Sequence, residues 1–174
     1  MSWPRKLTTP ISISAQANQI GWQLAQWAEP MRGRVKVVPN LRHLWEEIYG
    51  ADETPTSIVC YMGETNRGTP GNDTHRVDRQ WMVVFIRGRG LDHSVAETSI
   101  GPNGGEANSF LDDVETVRDR IRVILSISDE FPVLFKSIKP MPNLAPSPSS
   151  NAYLDAYALE FTTANDIPAI TETA

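Results

Sequence analysis

The chain has 174 residues, of which 40% are hydrophobic and 21% charged, with a formal net charge of −5 and a sequence pI near 5.2. This length and composition are typical of one globular domain with its own core, and they exclude a disordered chain. Because proteins that grip nucleic acid usually carry a basic domain or stripe, the acidic balance argues against DNA wrapping. No apolar stretch approaches the roughly 18 residues that span a bilayer, and the start of the chain lacks the pattern of a secretory signal. We therefore expect a soluble protein of the cytoplasm in which it is made, with no membrane partner.

The first part of the chain predicts an arm, a helix and a short strand. Residues 1–13 are polar, contain Pro4 and Pro10, and predict a loose N-terminal arm. Apolar residues then recur at three- and four-residue steps, which predicts an amphipathic helix from its N-cap Ser14 to about Glu29. The β-branched run 34–38 predicts a strand.

A second, shorter helix is predicted between Asn40 as its N-cap and Gly50 at its end. Its predicted apolar side consists of Leu41, Leu44, Trp45 and Ile48. The run 57–62 is apolar on both parities, which indicates a strand in the middle of a sheet. It contains Cys60, and because this is the chain's one cysteine, it can form neither an intrachain disulfide nor a thiolate cluster. We interpret Cys60 as a small buried hydrophobic residue.

The middle of the chain predicts the longest strand between two loops. Residues 63–73 are rich in glycine and asparagine and predict a long flexible loop. Residues 74–89 predict a strand whose apolar centre, 81–86, is covered on both faces. The segment 99–106 has strong turn chemistry and predicts a second loop.

The last third predicts a helix and two strands. Asn108 or Ser109 caps the helix, whose apolar stripe runs to about Ile127 and whose acidic start suits the helix dipole. Strands are predicted over 133–139 and 151–163, joined by a proline- and serine-rich connection over 140–150. One parity of the last strand should pack on the helices, and it consists of Tyr153, Tyr157, Leu159 and Phe161.

Together these elements predict an α+β fold, with a mixed or antiparallel sheet of about five strands and two to three helices packed mainly on one face. We expect a single domain over residues 14–163, preceded by the arm 1–13 and followed by a flexible C-terminal tail over 164–174.

No motif points to catalysis. The glycine-rich segments 63–68 and 101–105 lack the lysine of a phosphate-binding loop. His43 precedes two glutamates on a helix, which is compatible with metal binding, but no second histidine completes a ligand pair. Ser57, His75 and Asp78 have the residue types of a hydrolase catalytic triad, but the serine does not lie in a nucleophile-elbow sequence. We predict that the protein is not an enzyme and uses no cofactor or metal.

Charged residues gather at the ends of the long predicted strand. These are arginines and not lysines, and planar guanidinium groups suit subunit interfaces. Two interpretations stay open: a solvated strand end, or a subunit contact in which arginines meet carboxylates at the acidic start of the last helix. The predicted contact residues are Arg67, Arg76, Asp78, Arg79, Arg87, Arg89, Asp112, Asp113 and Glu115.

The chain has five tryptophans, which is many for this length. Trp27, Trp45 and Trp81 are predicted to lie in the core. Trp22 falls off the apolar stripe of the first helix, which leaves exposure or an interface contact open.

The order of elements resembles that of tail terminator proteins, which cap the finished tail tube of long-tailed bacteriophages as a ring. The likeness covers residues 14–163: an opening helix, the strand–loop–strand unit 57–89 containing the sequence Arg-Val-Asp-Arg-Gln-Trp-Met-Val-Val at 76–84, a helix over 111–125, and a closing strand pair ending at Phe161. It is a likeness of pattern and not of a signature motif. The helix that bears Trp45 and the connection 140–150 are not clearly part of the shared pattern.

This resemblance implies a structural virion protein that forms a homo-oligomeric ring, commonly a hexamer, through an extended β-containing loop and the helices. It implies a tail-tube protein and a head-neck or connector protein as partners, with DNA passing through the lumen without sequence-specific binding. The alternatives are another neck, head-completion or minor tail protein, or a non-viral binding module or a subunit of a contractile injection apparatus.

Overall fold

The computed structural model describes residues 12–27, 34–50, 55–66, 74–90, 110–125, 134–141 and 152–168. Within them the chain forms three helices and five strands. In chain order these are α1 (Ile13–Trp27), β1 (Val35–Val38), α2 (Leu41–Tyr49), β2 (Thr56–Asn66), β3 (Thr74–Gly90), α3 (Phe110–Leu125), β4 (Leu134–Pro140) and β5 (Ala152–Pro168).

The five strands form one mixed sheet in the order β1-β2-β3-β5-β4. β1 pairs with β2 in parallel, and every other neighbouring pair is antiparallel. The two long strands β3 and β5 pair from Thr74↔Pro168 to Gly90↔Ala152 and form the centre of the sheet. This arrangement confirms the predicted α+β fold with a mixed sheet of about five strands.

Each face of the sheet has its own apolar cluster because side chains alternate along every strand. On the first face, α1 and α3 cover a cluster that includes Val59, Trp81, Val83, Leu159 and Phe161. On the second face, α2 packs on β1 and β2 over a cluster that includes Ile58, Cys60, Val84 and Ile86. Two of the three described helices therefore lie on one face, as the sequence predicts.

The one polar atom of Trp81 is satisfied within the first cluster. Its indole Nε1 donates a hydrogen bond of 2.9 Å to Thr163 Oγ1 on the neighbouring strand β5. A buried tryptophan is tolerated where its N–H finds a partner. This contact joins β3 to β5 under the helices.

The helix ends follow local capping rules, with one change from the prediction. Ser12, not Ser14, caps α1, because its Oγ accepts a hydrogen bond from the Ala15 N–H at 3.2 Å. The predicted cap of α2 is confirmed, since the Asn40 side chain accepts from the His43 N–H and Gly50 follows the last turn.

Two strands are longer than the sequence indicates. β2 continues past Gly63 to Asn66, where we expected a loop, because Gly63 forms a β-bulge with φ of 112° and pairing with β3 resumes beyond it. β5 extends past residue 163 to Pro168, because its polar end pairs with the first residues of β3. The predicted loops at 67–73 and 99–106 and the connection 142–150 lie outside the described residues.

Candidate functional site

Arg79 lies inside the fold, where β2, β3 and α1 meet. Its side chain is buried, and its Nη1 donates a hydrogen bond of 2.9 Å to Gln16 Oε1 on α1. Glu64 stands directly opposite on β2, with its Oε2 3.5 Å from Arg79 Nε. Partial burial and the Glu64 carboxylate raise the pKa of neighbouring Tyr61. Arg79 thus connects the N-terminal half of α1 to the sheet through its hydrogen bond to Gln16.

Arg87 forms a second buried contact nearer the other end of β3. Its Nη1 donates to Asp113 Oδ2 on α3 at 3.1 Å, and both side chains are buried. Asp155 is its cross-strand neighbour on β5. The structure thus places an arginine of this strand against the acidic start of the last helix of the same chain, whereas the sequence interpretation placed such a contact between neighbouring subunits.

The other predicted contact residues differ in their placement. Asp78 is buried on the second face, opposite Thr65 and Ala164. Asp112 and Glu115 are exposed on α3, and Glu115 lies 3.8 Å from Arg118 in the same helix. Arg67 lies outside the described residues, as do the side chains of Arg76 and Arg89 on β3.

Residues considered for chemistry are held apart or engaged elsewhere. Ser57 and Asp78 project to opposite faces of the sheet, so these two members of the hypothetical catalytic triad cannot contact each other. The side chain of the third member, His75, lies outside the described residues. His43 Nδ1 lies 2.9 Å from Asn40 Oδ1. Neither glutamate after His43 completes a metal site, since Glu46 pairs with Arg42 and Glu47 with Lys36. In the described ranges no group of three or more potential ligands could hold a metal ion.

Cys60 lies fully buried in the cluster on the second face. Burial raises the pKa of its thiol to about 11, because the surroundings disfavour the thiolate. Its Sγ lies 3.5 Å from the Tyr61 carbonyl oxygen, which can accept a hydrogen bond from the protonated thiol. The predicted role of Cys60 as a small buried hydrophobic residue agrees with this position.

Most of the exposed large apolar side chains in the described residues lie along one side of the sheet, which we call the β1 side. β1 is the edge strand there, and both α1 on the first face and α2 on the second pack on β1 and β2. The exposed apolar residues of this side are Trp22, Val37, Leu41, Trp45 and Tyr49.

The β1 side contains an apolar stripe on α2, which we call the α2 stripe. It consists of Leu41, Trp45 and Tyr49, which are 45%, 40% and 50% exposed and follow one another at four-residue spacing. The Trp45 and Tyr49 rings stack, with centroids 6.0 Å apart. The prediction that Trp45 lies in the core is wrong, because this short helix buries only Leu44 and Ile48.

The opposite edge of the sheet, formed by β4, has exposed groups of its own. Leu134 is 48% exposed, and Lys136 and Lys139 are exposed as well. Pairing with Thr162 and Ala158 places Leu134 and Lys139 on the second face, the same face that α2 occupies.

The remaining tryptophans divide between core and surface. Trp81 is buried, as predicted, and Trp22 is 57% exposed on α1. The side chain of Trp27 lies outside the described part. One signal for the exposed stripe was available in the sequence: α2 has apolar residues on too wide an arc for one buried face.

None of the described helices combines the length and apolar character needed to cross a membrane. No protein-family model matches the chain, and no curated protein matches it in sequence.

Proposed function

We propose that this protein is a structural component that assembles with copies of itself into a ring, and that it is a tail terminator, joining the tail of a long-tailed bacteriophage to its head. The proposed site of action is the virion, at the tail end next to the neck, after assembly in the host cytoplasm. Its proposed partners are copies of itself, the tail-tube protein and a head-neck protein.

One observation carries the proposal: exposed apolar side chains lie at both edges of one sheet. Five belong to the β1 side, and Leu134 lies on the opposite edge strand β4. Exposed apolar patches are typical of surfaces that meet another protein. Two different contact surfaces on opposite sides of a subunit suit a head-to-tail interface, which closes into a ring when the rotation between neighbours permits.

The net charge agrees with DNA passing through the ring without being held. At −5, each subunit has the same sign of charge as the phosphate backbone. Like charge disfavours gripping of a moving duplex. We therefore propose that the ring makes no sequence-specific contact with DNA.

The test is electron microscopy of the purified full chain, together with sedimentation velocity across a range of concentrations. We expect closed rings with a central lumen, of sixfold symmetry if the resemblance to tail terminators holds. A chain that stays monomeric at high concentration would contradict the proposal.

A second experiment separates the tail terminator from other ring-forming components of the neck. Purified rings are added to growing tubes of a tail-tube protein from the same virion. A terminator should bind one tube end and stop further growth, whereas a neck or head-completion protein should leave tube growth unchanged.

A further inference from the structure

We propose that ordered water is built into the fold beneath α1, where it hydrogen-bonds the buried side chains of Gln23 and Ser57. The ligand of this internal site is water, held as a permanent part of the folded subunit. The site lies inside one chain, so it does not depend on the proposed ring.

Gln23 on α1 is a buried amide without a hydrogen bond. Its exposed fraction is 1%, and within the described residues neither its Oε1 nor its Nε2 has a hydrogen-bond partner. Burial of an amide without a partner is costly, and buried polar groups in native proteins are nearly always satisfied by protein or by ordered water. An amide both donates and accepts, so it can bind water in either sense.

Ser57 on β2 is a second group of the same kind. Its side chain is fully buried on the first face, and no atom in the described part of the chain forms a hydrogen bond with its Oγ. The hydroxyl of the preceding residue differs, since Thr56 Oγ1 donates to the Arg34 carbonyl oxygen at 2.7 Å. The missing partner is therefore a local feature of the first face at Ser57.

Both groups lie where the same stretch of α1 crosses the sheet. Ser57 pairs in register with Val35 on β1, and Val35 Cγ1 lies 3.7 Å from the position of a Cβ added at Gly21. Gln23 follows Gly21 by two residues, about 3 Å along the helix axis. This part of α1 therefore passes over the sheet at the level of Ser57.

Gln16 shows which way the Gln23 flank of α1 points. It lies seven residues before Gln23, close to two full turns, so the two side chains project in nearly the same direction. Gln16 reaches β3, where its Oε1 accepts a hydrogen bond of 2.9 Å from Arg79 Nη1. Gln23 therefore projects into the interior between α1, the sheet and α3, which α1 contacts on this face.

Water fits this interior better than any larger ligand. Both side chains are at most 1% exposed, so the site is closed to solvent, and neither of them carries a charge that would favour an ion. Buried water typically makes about three hydrogen bonds to polar groups that otherwise have no partner. Two atoms of Gln23 and one of Ser57 supply that number.

The sign of a stability change tests the site. Gln23→Met keeps the length of the side chain and removes the amide. If water satisfies the amide, the variant should have a lower Tm, because the bound water loses partners. If the interior is dry, the same change should raise the Tm, because it removes an amide that is buried at a cost. Differential scanning calorimetry of the full chain measures both.

Ser57→Ala and the double variant separate lost water from altered packing. Ser57→Ala should lower the Tm as well, and the double variant should lose less than the sum of the two, since both changes act on the same water. Gln26→Met is the matched control: Gln26 is exposed on the same helix, so its Tm should stay close to that of the wild type.

A high-resolution crystal structure of the wild type gives the direct observation. Water should lie about 2.7–3.2 Å from the Gln23 amide and from Ser57 Oγ. A site without water in that structure, or a raised Tm for Gln23→Met, overturns the proposal. Neither result bears on whether the subunits form a ring.

Discussion

At the scale of single residues, the two buried arginines of β3, Arg79 and Arg87, stabilise the fold of the subunit. Arg79 and Arg87 project to the first face, where α1 and α3 cover them. Taking such charges out of water is costly, and the attraction of a well-placed partner offsets that cost. Charge reversal at either arginine therefore tests the fold and not an exposed subunit contact.

We predict that Arg87→Met destabilises the subunit by about 3–5 kcal/mol, because it removes the cation that pairs with the buried Asp113 carboxylate. Urea unfolding followed by circular dichroism measures the change. The double variant Arg87→Met with Asp113→Leu should regain much of the loss, since it removes both charges. Equal stability of Arg87→Met and the wild type would show that the pair contributes little.

Cys60 gives a prediction about pH. Its folded pKa of about 11 lies above the ordinary thiol pKa of 9.0, so at pH 8 the native thiol should react slowly with Ellman's reagent and quickly after unfolding. Between pH 9 and about 11 the unfolded chain loses the thiol proton while the folded chain keeps it, so stability falls as the pH rises through this window.

The control for Cys60 is Cys60→Ala, which removes the titrating group. The difference in unfolding free energy between wild type and variant should be constant below pH 9 and shrink as the pH approaches 11. A difference that stays constant up to pH 11 would contradict a buried thiol with a raised pKa.

At the scale of the elements, Gly21 allows α1 to approach β1 closely. A Cβ added at Gly21 would lie 2.7 Å from Val37 Cγ2. We predict that Gly21→Ala destabilises by about 1 kcal/mol, because the overpacking of about 1–3 kcal/mol exceeds the gain in helix propensity. Thermal unfolding measures it. Adding Val37→Ala should relieve the clash, so that Gly21→Ala becomes stabilising in that background. If Gly21→Ala were stabilising in the wild-type background, the space between α1 and β1 would already be large enough for a methyl group.

The elements also show what the sequence can predict. Apolar periodicity identified each helix and strand of the described ranges, because the residues that face a core must recur with the period of the element. It did not show that β2 continues beyond Gly63, because a glycine that suits a turn also suits a bulge, and the partner strand decides between them.

For the candidate site, local sequence identified the charged residues but not their surroundings. The pattern suggested the acidic helix start of a neighbouring subunit as the partner of these arginines, whereas Arg87 contacts Asp113 within its own chain, because the contact depends on how α3 packs on β3. For Trp45, the sequence pattern predicted the wrong degree of burial. Its spacing suits burial, and only the placement of a short helix at the sheet edge leaves it exposed.

At the scale of the whole molecule, the two edges of the sheet differ from each other in a way that the composition does not reveal. One edge strand is flanked by helices on both faces, and on the other edge, β4, no described helix lies on the second face. A subunit of this kind has two unlike sides, so copies can join in sequence without using the same surface twice. In the proposed assembly, shape and exposed apolar residues make the contacts between subunits, and the buried charges stabilise each subunit.

Assembly should be visible in thermal stability as well as in images. Because a partner subunit binds only the folded chain, we predict that the Tm of the wild type rises with protein concentration. At a subunit concentration about a hundred times the dissociation constant, the gain of about 2.7 kcal/mol corresponds to a rise of about 5–10 °C for a chain of this size. Differential scanning calorimetry at several concentrations measures it. Leu134→Lys, which places a charge at the exposed β4 edge, should show a Tm that does not depend on concentration. A wild-type Tm independent of concentration would indicate that the folded chain has no partner in its own copies.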